Sequence, residues 1–421
     1  MVWLSRLCLV LTFLCFSRQG ISQNLVRAEA GVLNARDWKF QDKSLPLSGY
    51  WTFYDRQLLS PEQLDANIIR GIDRFFPGLW NKDTDDKERT EYGTYALRVL
   101  LPDSVHKLAV EIPQLYCSYT LWANGLKVAS AGRVDSTEQT SIPKWVYQTT
   151  SFSVNPKDTL SLVLQISNFH HHKGGAKDAI LLGNPDQVTH HVSRSITVNV
   201  VQALILLLAG LAFLIIYFAQ RQKAILFFAL LSLTWSVRCM FSNLYPVVTF
   251  YPNIDWQLLV KVEYFSLYFG IIWASLFLHH VLNKFSSQIV TYTIVVLNVL
   301  FSIYTLFTPV LIFSQWISLY LAVAGVTVLY AGILIVRGLL MDHAGSWFLV
   351  GGIITGIVMF GYDILAYNTA FHYNYMFLST GYLMIFLLTA IGLFFQLGIL
   401  KSKGKRSDVL TYDDLFKNSG S

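Results

Sequence analysis

The stretch LLSLTWSVRCMFSNLYP, residues 230–246, is an apolar run of the kind that crosses a bilayer, and it holds one arginine, Arg238. A guanidinium in a membrane helix costs several kcal/mol, or about 2.5–3.5 kcal/mol on insertion scales, so it needs partners at its own depth. The same apolar grammar continues on both sides. From about residue 195, seven stretches are long enough to cross about 30 Å of hydrocarbon. They run roughly over 196–219, 224–245, 256–281, 289–312, 315–337, 345–367 and 374–400. The gaps after the first, third, fifth and seventh hold Arg221 and Lys223, then Lys284, then Arg337, then Lys401, Lys403, Lys405 and Arg406. Those after the second, fourth and sixth, PVVTFYPNID, FTPVLIFSQ and NTAFHYNYM, hold no Lys or Arg. Positive charge stays inside, so the N-terminal half is expected outside and the C-terminus in the cytoplasm.

Composition agrees. The chain has 421 residues, 53% hydrophobic and 14% charged. Soluble domains carry about 25% charged residues. The net charge of +6 does not point to nucleic acid, because several of the basic residues sit in short gaps between apolar runs, where they orient helices. Residues 1–22, MVWLSRLCLVLTFLCFSRQGIS, read as a cleaved signal peptide: Arg6, an apolar Leu7–Phe16 too short to span, then Gly20 and Ser22 at −3 and −1 before Gln23. Its removal leaves Cys117 and Cys239, one in the exported region and one in the membrane, so no disulfide is expected and the exported domain needs its own core. Export without disulfides fits a bacterial periplasm. The expected location is the cell inner membrane, multi-pass, with the N-terminal domain periplasmic.

Residues 23–190 read as β structure. Tyr95, Leu97 and Val99 alternate in TYALRVLLP, as do Leu108, Val110 and Ile112 in KLAVEIP. In YTLWANGLKVAS two short strands flank Asn124-Gly125, the dipeptide that supplies positive φ at both centres of a type I′ turn. TLSLVLQIS, 159–167, reads as a strand buried on both faces. Short strands without intervening helices predict an antiparallel sandwich of jelly-roll type. The expected architecture is therefore an all-β jelly-roll sandwich (23–190), a seven-helix transmembrane bundle (195–400) and a short cytoplasmic tail (401–421).

Four ionisable residues lie within the spans: Arg238, Lys261, Glu263 and Asp363. At 1.5 Å per residue all four fall in the outer part of the membrane, facing the β domain. One Arg and two carboxylates at matching depth form a charge-assisted cluster, while Lys261 is near enough to the boundary to snorkel. The cluster is either a static clasp or a polar switch beneath the exported domain. An ion path is weaker, because the inner half shows no matching chain of carboxylates. In GGIITGIVMFG, Gly352 and Gly356 have the small-xxx-small spacing that lets helices approach, within the bundle or between two protomers of a homodimer.

Candidate ligand contacts are Trp80 and Trp145, which stand in loop-like sequence and suit stacking on a sugar, and Asn168, His170 and His171 of NFHHHKGG. Adjacent histidines diverge on a strand, so a polar loop is preferred to a metal site. Glu111, Asp135, Glu138 and Asp178 show no local pairing of the sort glycoside hydrolysis uses. Phosphate-loop, zinc-protease and nucleophile-elbow motifs are missing too. No catalytic residue, metal or cofactor is assigned.

With these elements in place the plan resembles the bacterial seven-transmembrane receptors with diverse intracellular signalling modules. The exported part is similar to the galactose-binding-like jelly roll, on SGYWTFYDRQLLSP (48–61), YGTYALRVLLP (92–102), LWANGLKVASAG (121–132) and ISNFHHHKGGAKDAILLG (166–183). The resemblance implies a non-enzymatic receptor whose outer domain binds a small molecule or carbohydrate and whose bundle relays the event inward. Such receptors continue into an output domain, whereas this sequence stops at KSKGKRSDVLTYDDLFKNSGS. Either an output domain lies elsewhere or a separate cytoplasmic signalling protein reads the bundle. The alternative is a transporter or channel with the charged cluster lining its path. That class places polar residues near the midplane of two repeats, and no repeat is evident here.

Overall fold

Two sheets face each other across one apolar core in the N-terminal half. The computed structural model describes residues 26–66, 70–80, 90–116, 118–155, 159–338, 346–368 and 375–396. The expected signal peptide, Cys117 and the tail 401–421 lie outside the described residues. The larger sheet has the order β4 (Ile72–Phe76), β3 (Gly49–Asp55), β5 (Tyr92–Leu100), β11 (Thr159–Ser167), β8 (Ser118–Ala123), β9 (Leu126–Ala131), and β1 (Val32–Asn34) pairs parallel with β5. The smaller sheet runs β10 (Gln148–Ser153), β6 (Lys107–Ile112), β13 (Leu181–Gly183), β2 (Leu45–Pro46). β7 (Leu115–Tyr116) and β12 (Gly175–Ala176) form a third, two-stranded pair, and one short helix, α1 (Pro61–Asp65), follows β3.

Alternation dictates which side chains meet. Tyr95, Leu97 and Val99 of β5 and Leu108, Val110 and Ile112 of β6 enter one core with Trp51, Phe53 and Phe76, while Arg98 stays outside. The run at 159–167 is the central strand expected: β11 pairs with β5 on one side and β8 on the other, and Leu162, Val163 and Leu164 in sequence are all buried. Asn124 and Gly125 take φ +48° and +79°, the left-handed pair a type I′ turn needs, and the Asn124 side chain accepts from Ser161 N at 2.7 Å. The expected β-sandwich ahead of a membrane bundle is the fold the chain adopts.

The strand β13 passes through Asn184 straight into α2 (Pro185–Gln220). Asn184 caps that helix by accepting from Asp186 N at 2.9 Å, and Pro185 sits in its first turn. Its 36 residues would extend about 54 Å, well beyond the hydrocarbon thickness, so its first turns stand clear of the membrane. Those turns lie against β6, β10 and β13. The helix therefore runs unbroken through the expected boundary at 190–195.

The helices that follow are α3 (Lys223–Phe241), α4 (Pro246–Phe250), α5 (Trp256–Val281), α6 (Gln288–Phe307), α7 (Val310–Gln315), α8 (Ile317–Gly338), α9 (Ser346–Asn368) and α10 (Tyr375–Gln396). Among the described residues α2, α3, α5, α6, α8 and α10 are long and apolar enough to cross a membrane, and α9 adds a shorter apolar helix, Trp347–Asp363. Residues such as Leu208, Ile215, Phe307 and Leu329 are exposed on the outside of the bundle, as lipid-facing positions are. Polar side chains turn inward and satisfy one another. Ser236 donates to Ala203 O at 2.7 Å, and Tyr320 to Asn298 Oδ1 at 3.0 Å.

Candidate functional site

The sandwich does not hang from the bundle on a tether; the two share a core. Tyr116 and Trp145 of the sandwich pack in one buried cluster with Tyr245, Val248, Trp256 and Leu259 of the bundle's outer end. Trp145 is 2% exposed and its ring lies 5.5 Å from Tyr245 and 5.6 Å from Trp256. A backbone bond crosses the same seam, His172 N to Ser314 Oγ at 3.0 Å.

Inside the seam is a chamber of about 140 Å³. Tyr116, Trp145, His171, Lys177 and Asp178 line it from the sandwich. Arg238, Asn243, Tyr245, Glu263, Asp363 and Tyr375 line it from the bundle. Each is delivered by a definite element: β7 and the loops after β9, β11 and β12 from above, the end of α3, the α3–α4 turn, the second turn of α5 and the starts or ends of α9 and α10 from below. The chamber thus holds two cations and three carboxylates within aromatic walls.

Its hydrogen bonds hold the outer end of the bundle in place. Arg238 Nη1 donates to Glu263 O at 3.3 Å and Ser266 Oγ at 3.4 Å, and its guanidinium lies over Trp235 at 5.8 Å. Tyr245 OH donates to Glu263 Oε2 at 3.0 Å. Tyr245 does so from φ +47°, a left-handed backbone that costs a residue with a Cβ about 1–2 kcal/mol. From above, burial holds the Lys177 ammonium below the ordinary lysine range, while Asp178, Asp363 and Glu263 pull it the other way.

The residues singled out from sequence are distributed as follows. Arg238, Glu263 and Asp363 line one chamber. Lys261 is not on its wall; it is half-buried on α5 and donates to Leu306 O at 2.9 Å, beside the C-terminal end of α6. Trp145 and His171 face the seam chamber, and His170 stands near it, 6.2 Å from Trp256. Trp80 is built into the sandwich core, 2% exposed, donating to Tyr95 OH at 2.9 Å. Asn168 shapes its own loop, donating to the carbonyls of His171 and Lys173 at 2.9 and 2.7 Å. The three histidines diverge to different partners: Ser141 O for His170, Lys173 for His171 and Ser314 for the His172 backbone. Gly352 lies against α10, where an added Cβ would meet Thr389 Oγ1 at 2.8 Å; at Gly356 the nearest atom is 3.9 Å away.

Sequence reading missed Lys177, Asp178 and Tyr245, and a second junction built on Glu111. That carboxylate, 3% exposed on β6, accepts from Tyr147 OH and pairs with His191 Nδ1 on α2 at 3.0 Å. The bond to Glu111 pushes the His191 imidazole above its ordinary value, and burial beside that carboxylate pushes the Tyr147 phenol up. Tyr147 also meets Tyr375 of α10 edge-on at 6.3 Å. Nothing local marks Glu111 in KLAVEIP beyond its being the one carboxylate on an otherwise buried strand.

Residues 197–400 match the family described as 7TM diverse intracellular signalling, so the membrane half of this chain is a domain of that family. Comparison with curated proteins found no match. Among solved structures, the GH2 β-galacturonidase of Eisenbergiella tayi is similar at 14% identity and TM-score 0.25, over 33% of this chain and 24% of that one. A β-glucuronidase of Ruminococcus gnavus is similar at 13% identity and TM-score 0.27, over 33% and 27%. β-Glucuronidase 2 of Bacteroides uniformis is similar at 16% and 0.26, over 33% and 17%. The chain thus spans about a quarter or less of the length of these enzymes, and a likeness of this size transfers no activity. The match of the membrane half to that signalling family, with helices long and apolar enough to cross a bilayer several times, makes this a multi-pass membrane protein with a domain of transmembrane signalling.

Proposed function

We propose that the protein is a receptor that senses what occupies the seam between sandwich and bundle and passes that state through the helices to a signalling partner on the opposite face. The observation that carries this reading is the shared core around Trp145: the chamber's walls come from both halves, so filling it changes how one sits on the other. The ligand contacts are Trp145 and His171, with Lys177, Arg238, Glu263 and Asp363 as the charged set. In this reading the sandwich faces the periplasm and the loops bearing Lys284 and Arg337 face the cytoplasm, as the charge asymmetry favours. The transporter alternative finds no support in the chamber's position at the outer end of the bundle.

A carbohydrate ligand has its own support in a second crevice, about 410 Å³, between the loop at Ile142–Trp145 and that at Pro252–Gln257. Trp145 and Trp256 both line it, and their buried Nε1–H groups have no hydrogen-bond partner among the described residues. With Asp255, Asn253 and Gln257 on its wall, it offers hydrogen-bonding groups of the kind that bind a sugar.

The receptor reading is tested by a perturbation outside and a readout inside. Spin labels at Lys284 and Arg337 report the distance across the far face of the bundle in lipid nanodiscs. Trp145→Ala, which empties the middle of the shared core, is expected to shift that distance distribution while the helices stay folded by circular dichroism. An unchanged distribution in a folded variant overturns the coupling.

A further inference from the structure

The seam chamber has a neighbour. A second cavity of about 190 Å³ lies deeper among α3, α5, α8, α9 and α10, and its wall is almost wholly apolar. Leu267 and Phe360 line both, so they form the partition between a charged upper room and an apolar lower one. Gly356 opens onto the lower room, and an added Cβ there would find nothing nearer than 3.9 Å. Apolar cavities of about 150 Å³ stay dry and accept small hydrocarbons.

The lower room holds one irregularity. Several buried hydroxyls elsewhere in the bundle bond back to the carbonyl four residues earlier, as Ser232 does to Phe228 O, Ser302 to Asn298 O and Thr355 to Gly351 O, and others find a different carbonyl, as Ser236 does at Ala203 O. Ser275 lines the lower room, is 6% exposed, and its hydroxyl has no hydrogen-bond partner among the described residues. An unbonded hydroxyl is costly to bury, so its place beside open space sets this wall apart from the packed helix contacts.

We propose that the two rooms are one binding site for a single-chain amphiphile with a zwitterionic head and a medium-length alkyl chain. The head lies among Lys177, Arg238, Asp178, Glu263 and Asp363, and the chain passes Leu267 and Phe360 into the apolar room. A zwitterion matches a chamber that offers both signs of charge, and a hydrocarbon chain matches the almost wholly apolar room below it. The chain wedges between α5, α8 and α9, which is how an occupied head chamber would move the helices. This rests on the reading of the seam chamber as the receptor's ligand site and names the ligand's class.

The test uses the full chain in lipid nanodiscs and a series of 2-amino fatty acids from alanine, head alone, to 2-aminododecanoic acid, with decanoic acid and decylamine as single-charge controls. Binding is expected to strengthen about fourfold per added methylene, the fold-change equivalent to about 0.8 kcal/mol, and to level off once the lower room is full. Gly356→Phe is expected to abolish the dependence on chain length and leave alanine binding as it was. If alanine binds as tightly as the long-chain members, the amphiphile is wrong and the seam site stands. Should no member bind, or should Gly356→Phe leave the chain-length series unaltered, the proposal is overturned. If that variant does not fold, the plateau in the unmodified protein decides: unlimited growth with chain length marks partition into lipid and sinks the proposal. The spin-label experiment on Trp145→Ala judges the receptor reading separately.

Discussion

Tyr245 shows what a single residue contributes at the seam. Its backbone is held at φ +47° by the ring's packing among Trp145, Val248 and Trp256 and by the hydroxyl's bond to the Glu263 carboxylate. Tyr245→Phe keeps the ring and removes only that bond. We expect a loss of about 1–3 kcal/mol, read as a lower melting temperature in nanodiscs, because a half-buried carboxylate loses a donor. His191 makes a different contribution, since its bond to Glu111 depends on its proton. Its folded pKa is raised above 6.5, so the added stability is full below about pH 6.5 and fades as pH climbs past the folded value. The side chain is 57% exposed, which limits the effect to under about 1 kcal/mol. Melting curves of the wild type and His191→Gln should therefore separate at pH 5.5 and converge at pH 8.5; curves equally spaced at both pH values would refute the linkage.

At the scale of elements, the β8–β9 hairpin and α2 show how far sequence carries. The hairpin was legible because Asn-Gly has few other uses between two alternating strands. At Gly125 an added Cβ meets nothing within 4 Å, so Gly125→Ala should cost only the left-handed backbone, about 1–2 kcal/mol, by thermal unfolding. The apolar runs were legible for an equally simple reason: a helix that faces lipid cannot disguise its hydropathy. The grouping of Arg238 with Glu263 and Asp363 followed from depth alone. Lys261 did not follow depth, because it stands two residues before Glu263 on one helix, and such neighbours face away from each other. Lys177 and Asp178 were hidden for the opposite reason. Adjacent charges near a strand end look like solvent-facing residues, and only the position of the bundle beneath them gives them a wall to line. The start of α2 was hidden as well, since THHVSRS is polar and shows no membrane signal, yet β6 and β13 hold it as helix.

For the whole molecule, the outcome is a sandwich joined to its bundle at three places: the aromatic core around Trp145, the Glu111–His191 pair and the unbroken passage from β13 into α2. Each alone would let the other half pivot. Together they leave few relative motions, which on the proposed receptor reading is what would let a small change in the chamber move the helices instead of being absorbed by a linker. The shared core has a further consequence for how such a protein can be taken apart or recombined. A sandwich cut from the chain near residue 190 would carry Tyr116, Trp145 and Tyr147 uncovered on one face, a patch that would pair with itself or with anything apolar nearby. The sandwich is therefore not an interchangeable module. Transplanting it onto another bundle means transplanting the outer ends of α3 and α5 and the α3–α4 turn with it.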